Sequence, residues 1–206
     1  MAQALEHADL YARVVQENVT LRRELQARHR FANIIGGSRA MQEVFRLLER
    51  VIPSSAMVLI EGETGTGKEL IARAIHYNGP RKEKRFVSLD CGAFPEELLE
   101  SELFGHKKGA FTGAIRDKAG LFEYAEGGTV LLDEICNANP SVQARLLRVL
   151  QEGEIRRLGE NEPRRVDVRV LCATNRDIEQ EVEEGRFRKD LYYRLRGVRI
   201  VVPPLR

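Results

Sequence analysis

The spacing of apolar residues changes partway along the chain, and the change lays out its architecture. Residues 5–28, "LEHADLYARVVQENVTLRRELQAR", contain neither glycine nor proline. Within them Tyr11, Val14, Asn18, Leu21, Leu25 and Arg28 recur at three- and four-residue spacing. That period predicts a charged helix with an apolar seam interrupted by Asn18. Two readings of the seam stand side by side. Either the helix is solvated and packs on its own domain, or it is a short coiled coil that pairs two subunits, with Asn18 fixing the register. Residues 1–30 are therefore set apart as a linker helix, and residues 31–206 as one further domain.

After "RHRFANIIGGS" the pattern becomes an alternation of short apolar runs and amphipathic stretches. Helices are predicted over 39–50, 68–77, near 95–103 and around 119–126. Another follows "NPSVQARLLRVLQEG", with Asn139 as N-cap, Pro140 in the first turn and Gly153 past the end. Strands are predicted over 56–62, 86–90, 129–134, 166–175 and 197–204. Apolar strands separated by helices imply an α/β fold, a parallel sheet covered on both faces. No helical segment follows the last strand, so the chain is expected to be cut at "PPLR".

Bulk properties narrow the class only a little. The 206 residues are 43% hydrophobic and 31% charged, with a formal net charge of +2. Such a balance gives no global attraction to nucleic acid or to an anionic membrane. Cys91, Cys136 and Cys172 are odd in number and widely spaced, which predicts no disulfide framework and no zinc site. There is no signal-peptide pattern and no apolar run of membrane-spanning length. The expectation is a cytoplasmic protein with no membrane partner.

Chemistry enters with "GETGTGKE", residues 62–69, which fits G-x-x-x-x-G-K directly after an apolar strand and directly before a helix. Gly62, Gly65 and Gly67, with Glu63, Thr64 and Thr66 between them, allow a tight backbone whose N–H groups point at a phosphate. The helix that begins with Lys68, Glu69 and Leu70 adds its dipole, and Lys68 reaches the β- and γ-phosphates of a nucleotide. Position 69 carries Glu where the general motif has Ser or Thr as a magnesium ligand. Its carboxylate either holds Mg²⁺ through water or turns aside. "VLLDE", residues 130–134, ends an apolar strand in two carboxylates. Asp133 is expected to hold Mg²⁺ and Glu134 to polarise the attacking water, which predicts an NTPase using ATP.

One stretch resists this reading. "HKKGAFTGAIRDK", residues 106–118, places Phe111 between glycines in a basic segment. Taken alone it reads as a disordered insertion whose phenylalanine tucks back onto the domain. The segments "GETGTGKE", "ESELFGHKKGAFTGA", "GTVLLDEI", "QARLLRVLQEGEIRRLG", "VRVLCATN" and "FRKDLYYRL" together change the reading. Over residues 34–206 the chain resembles the central AAA+ ATPase domain of sigma-54-dependent transcriptional activators, the bacterial enhancer-binding proteins.

The resemblance implies that Gly109, Ala110, Phe111, Thr112, Gly113 and Ala114 form a loop that projects to touch sigma-54, with both glycines as hinges. It implies that Thr174 and Asn175 read the γ-phosphate. Arg188 and Arg194 would be fingers inserted into a neighbouring subunit's site, and Ile34, Ile35 and Gly36 would pack around adenine. "EGEIRRLGENEPRR" would form a second basic loop near a central pore. Asp90 stands where many relatives have an Asn that restrains the catalytic Glu, so it is expected to couple loop and Glu134. A carboxylate there is also expected to raise the pKa of one of the pair. Cys136 is expected to be structural. The implied protein is a homo-oligomeric ring, hexamer or heptamer, that hydrolyses ATP with Mg²⁺ and opens sigma-54 polymerase complexes. A helical lid and a helix-turn-helix domain that meets DNA would lie outside this chain. Other readings remain: another AAA+ remodeller such as a helicase loader or unfoldase, an ATP-binding regulator with little turnover, or a dimer through the N-terminal helix.

Overall fold

The computed structural model describes residues 34 and 36–204. The helix expected over 5–28 and the residue Ile35 lie outside them. The chain divides into two units, Met1–Gly36 and Gly37–Arg206. Ile34 and Gly36 fall in the first, and everything below concerns the second.

Helix α1 (Arg39–Val51) opens on Ser38, whose hydroxyl accepts the Met41 N–H at 3.3 Å. Its buried residues, Met41, Val44, Phe45, Leu48 and Val51, follow helical spacing along one face. Strand β1 (Val58–Glu61) then leads into α2 (Lys68–Tyr77), and β2 (Phe86–Asp90) into α3 (Glu96–Phe104). A two-residue ribbon, β3 (Gly105–His106) with β4 (Lys118–Ala119), precedes the short α4 (Leu121–Tyr124). Strand β5 (Thr129–Asp133) ends in a 3₁₀ turn (Ile135–Asn137), and α5 (Pro140–Glu152) follows. A second ribbon, β6 (Glu154–Ile155) with β7 (Arg164–Arg165), is succeeded by β8 (Arg169–Thr174), α6 (Ile178–Glu183), α7 (Lys189–Leu195) and β9 (Val198–Val201).

Five strands form one parallel sheet in the order β2-β5-β8-β1-β9. The three central strands are the near-continuous apolar runs, and every residue of β1 and β8 is buried. The edge strands β2 and β9 are only partly buried. The α5 caps are as the sequence predicts: the Asn139 carboxamide oxygen accepts the Val142 N–H at 2.8 Å, and Gly153 closes the helix in the left-handed region. At the opposite end of the sheet from the carboxyl tips, the buried Arg169 donates to the last carbonyls of α1, Val51 at 2.8 Å and Ile52 at 3.2 Å. The order places β8 between β1 and β5. The tips of β5, β8 and β1 thus meet at one edge, where ligands bind in open α/β sheets.

Candidate nucleotide site and its projecting loop

The loop between β1 and α2 closes on itself through the Thr66 hydroxyl, which donates to the Glu63 carbonyl at 2.8 Å. Gly67 is the N-cap of α2 at φ 88°, a left-handed conformation that favours glycine. No side chain caps this helix, so the first N–H groups of α2 face into the cradle. Lys68 is buried, and its amine donates to the Gly62 carbonyl at 3.0 Å and the Glu63 carbonyl at 3.4 Å. The same amine lies 3.5 Å from the Glu134 carboxylate. Leu70, on the first turn, is exposed.

Glu134 is the one non-glycine residue with positive φ among the described residues, at φ 48° and ψ 48°. A side chain in that region costs about 1–3 kcal/mol, strain that concentrates at functional sites. The turn aims its carboxylate between two partners, Lys68 and the backbone N–H of Asn175 at 3.1 Å. The Asn175 carboxamide in turn donates to the Thr64 hydroxyl at 3.0 Å. Phosphate loop, Glu134 and the end of β8 therefore form one bonded set. Thr174 does not face it: buried, its hydroxyl donates to the Cys136 sulfur at 3.3 Å and accepts the Arg176 N–H at 3.1 Å. That contact gives Cys136 a packing role, and burial pushes its thiol up to about 11.

Asp133 is half-buried, and one carboxylate oxygen accepts the Glu134 N–H at 2.9 Å. Burial pushes its carboxyl above the usual range, and the charges of Glu134 and, more weakly, Asp90 add to this. A carboxylate desolvated in this way fits a divalent cation, whose charge would offset the cost. Glu69 does not fit: its carboxylate is held by Arg73 at 2.7 Å and 3.0 Å, so it turns aside.

Asp90 is the register partner of Asp133, but its carboxylate turns back to accept the Gly92 N–H at 2.7 Å. The structure does not bring it to Glu134, whose bonded restraint is Asn175. The carboxyl that feels Asp90 is Asp133.

Phe111 is not displayed at the tip of its loop. It is half-buried, its ring edge-on to His106 with centroids 5.0 Å apart. His106 is itself buried and hydrogen-bonded to the Ser101 hydroxyl at 2.7 Å. Thr112 is exposed, and Ile115, a residue the sequence reading passed over, is 82% exposed. Gly109 and Gly113 have φ of 84° and 103°. The Gly109 N–H donates to the Ala114 carbonyl at 2.8 Å, which closes the loop, while Ala114 itself is buried. Asp117 anchors the base through the Lys107 amine at 2.9 Å and the Lys108 N–H at 2.8 Å.

The second loop is stacked on the first. Lys107 N–H donates to the Leu158 carbonyl and Leu158 N–H to the Gly105 carbonyl, both at 2.9 Å. A Cβ on Gly159, at φ 75°, would sit 2.9 Å from that of Ala110, so the approach requires glycine. Arg157 grips Glu123 with two bonds of 2.7 Å and 2.6 Å, holding that carboxyl below its usual range. Arg188 pairs with the nearby Asp190 at 2.7 Å, and Arg194 donates to the Leu150 carbonyl at 2.9 Å. Both arginines are at the surface.

A phosphate cradle at the tip of a parallel sheet, with a strand-end Asp-Glu pair one strand beyond the neighbouring β8, defines a P-loop NTPase. The chain belongs to the sigma-54 interaction domain family, which matches residues 34–201. It is 56% identical over 191 residues to the Nif-specific regulatory protein of Azotobacter vinelandii, covering 92% of this chain and 37% of that protein. It is 60% identical over 166 residues to the hydrogenase transcriptional regulatory protein HoxA of Bradyrhizobium diazoefficiens, covering 81% and 34%. The chain thus spans about a third of the length of the curated relatives it matches. NtrX from Brucella abortus in complex with ATP superposes with a TM-score of 0.77 at 35% identity, over 95% of this chain and 42% of that one. The P-loop NTPase domain of a sigma-54 activator from E. coli shares the fold, with a TM-score of 0.57 at 19% identity over 84% of this chain and all of that one. No helix among the described residues is long and apolar enough to cross a membrane.

Proposed function

We propose that this domain hydrolyses ATP within a cytoplasmic ring of identical subunits and uses the cycle to remodel sigma-54 RNA polymerase from closed to open promoter complex. The observation that carries the reading is the bonded set Lys68–Glu134–Asn175–Thr64, which joins the phosphate loop to the ends of β5 and β8. The triphosphate sits on the uncapped start of α2. Lys68 exchanges the Gly62 and Glu63 carbonyls for phosphate oxygens, which releases Glu134. The freed carboxylate orients and polarises the attacking water, and Asn175 follows the γ-phosphate it faces. Asp133 would hold Mg²⁺, which supplies charge neutralisation on the phosphates. Arg188 and Arg194 leave their present partners for the site of the adjoining subunit. Thr112 meets sigma-54 first, with Phe111 following when the loop leaves His106. A hexamer or heptamer provides the trans sites, and DNA is met only through another part of the protein.

Glu134→Gln tests the hydrolytic part. It is expected to bind ATP with an affinity close to the parent's and to lose turnover by at least about 100-fold. Undiminished turnover, or loss of ATP binding with it, overturns the assignment of Glu134.

A further inference from the structure

Gln143 lies in the second turn of α5 with its side chain wholly buried. A buried carboxamide is costly unless its donors and acceptor are used. Here all of them are. The amide nitrogen donates to the Ala138 carbonyl at 2.7 Å and to the Arg186 carbonyl at 3.0 Å, and the oxygen accepts the Arg188 N–H at 2.8 Å. Ala138 closes the 3₁₀ turn that begins at Glu134. Arg186 and Arg188 bracket the buried Phe187, and Arg188 is the N-cap of α7. One side chain therefore bonds both the turn that carries the catalytic carboxylate and the backbone of the first finger candidate.

The rest of that segment is fastened chiefly to Glu181, with Glu184 as a second partner of the Arg186 guanidinium. Glu181, nine-tenths buried, takes the Arg186 guanidinium at 2.7 Å and 2.9 Å, and its carbonyl accepts the N–H groups of Arg186 and Phe187 at 2.9 Å and 3.0 Å. With backbone and flanking residues held, the Arg188 side chain is left to swing, bonded among the described residues only to the exposed Asp190 two residues on.

We infer that Gln143 is a positioning residue that sets Arg188 for the neighbouring subunit's nucleotide and ties its placement to the Glu134 turn of its own subunit. This rests on the reading of Arg188 as a finger acting in trans. Such a finger contributes only if its backbone is fixed, since a misplacement of about 1 Å can cost roughly 100-fold in rate. Replacement of Gln143 should then damage the next site around the ring more than the site of the subunit that carries it.

Mixed rings of the full-length protein test this. Gln143→Ala alone is expected to lower kcat by about 10- to 100-fold with the KM for ATP within about twofold of the parent. Mixing it with an excess of Glu134→Gln subunits, which hydrolyse nothing but carry an intact Arg188 and Gln143, should restore most of the turnover. Arg188→Ala mixed with the same donor is the control. Rescue of both variants supports the inference. Rescue of Arg188→Ala without rescue of Gln143→Ala overturns it, since the damage then lies in the variant's own site. Failure of the Arg188→Ala control overturns the trans reading itself. Gln143→Met fills the same volume without bonding, and takes the place of Gln143→Ala in the same mixtures should the alanine variant not fold.

Discussion

The ion pair beneath the two stacked loops offers a sharp test of how the projecting segment is held. Arg157 and Glu123 are 13% and 18% exposed and joined by two short bonds. Solvated pairs contribute about 0.2–1 kcal/mol, whereas removing one partner of a fully buried pair costs about 3–5 kcal/mol. This pair is intermediate in burial, and Arg164, 3.8 Å from the same carboxylate, would compensate in part. Arg157→Ala should therefore destabilise the domain by about 1–3 kcal/mol. For a domain of this size that lowers Tm by roughly 2–10 °C. Glu123→Gln should lose less, because an amide oxygen can still accept the Gly120 N–H that the carboxylate accepts at 3.4 Å. Denaturant titration of both single variants and the double variant gives the coupling directly. The expected value is about 1–2 kcal/mol. A coupling below about 0.3 kcal/mol would show that the pair does not hold the loops together, and the stacked arrangement would need another cause.

Other expectations concern single groups. His76 is wholly buried; its Nε2–H donates to the Lys84 carbonyl at 3.1 Å, the neutral ring's Nδ1 accepts the Thr129 hydroxyl at 2.9 Å, and burial holds its pKa below the usual value. The unfolded chain then binds the proton first, so stability is intact above about pH 6.5 and falls as pH drops below it, by at most about 1.4 kcal/mol per pH unit. Denaturant midpoints between pH 7.5 and pH 5 for wild type and His76→Gln check this, and parallel curves would refute it. Glu69→Ala should leave the Mg²⁺ dependence of turnover unchanged and cost about 0.3–0.5 kcal/mol from the exposed pair with Arg73; a raised Mg²⁺ requirement would restore Glu69 as a metal ligand. Burial pushes the Cys91 thiol up to about 12 and that of Cys136 to about 11. Folded protein should thus resist a thiol reagent at pH 8 that modifies the unfolded chain fully, and rapid labelling of either cysteine would contradict the packing described.

The parts of this molecule legible in the sequence are those where one residue type has one physical use. Val58–Glu61 and Thr129–Asp133 read as strands because an apolar run of that length with a glycine or acid beyond it suits a buried parallel strand. Asn139, Pro140 and Gly153 announce the ends of α5 for similar reasons. The ribbons Gly105–His106 with Lys118–Ala119 and Glu154–Ile155 with Arg164–Arg165 were not legible, because two residues carry no period. Helices α6 and α7, six and seven residues long, are under two turns or barely so, and "FRKDLYYRL" stood out only by resemblance. At the site, identity and position were readable but orientation was not. Whether Glu69 meets metal or Arg73, whether Asp90 meets Glu134 or Gly92, and where Phe111 rests depend on partners far apart or equivalent in sequence terms. The carboxamide of Gln143 carried no signal at all in a stretch that reads simply as amphipathic helix.

The central claim, that the nucleotide site drives the projecting loop onto sigma-54, is tested most directly by trapping. The full-length protein, ADP–aluminium fluoride and purified sigma-54 are resolved by native gel or size exclusion, with Thr112→Ala alongside. A stable complex with the wild type, none without the trapped nucleotide and none with Thr112→Ala is the result the account predicts. Nucleotide bound in full by the wild type with no sigma-54 retained, or equal retention by Thr112→Ala, would contradict it.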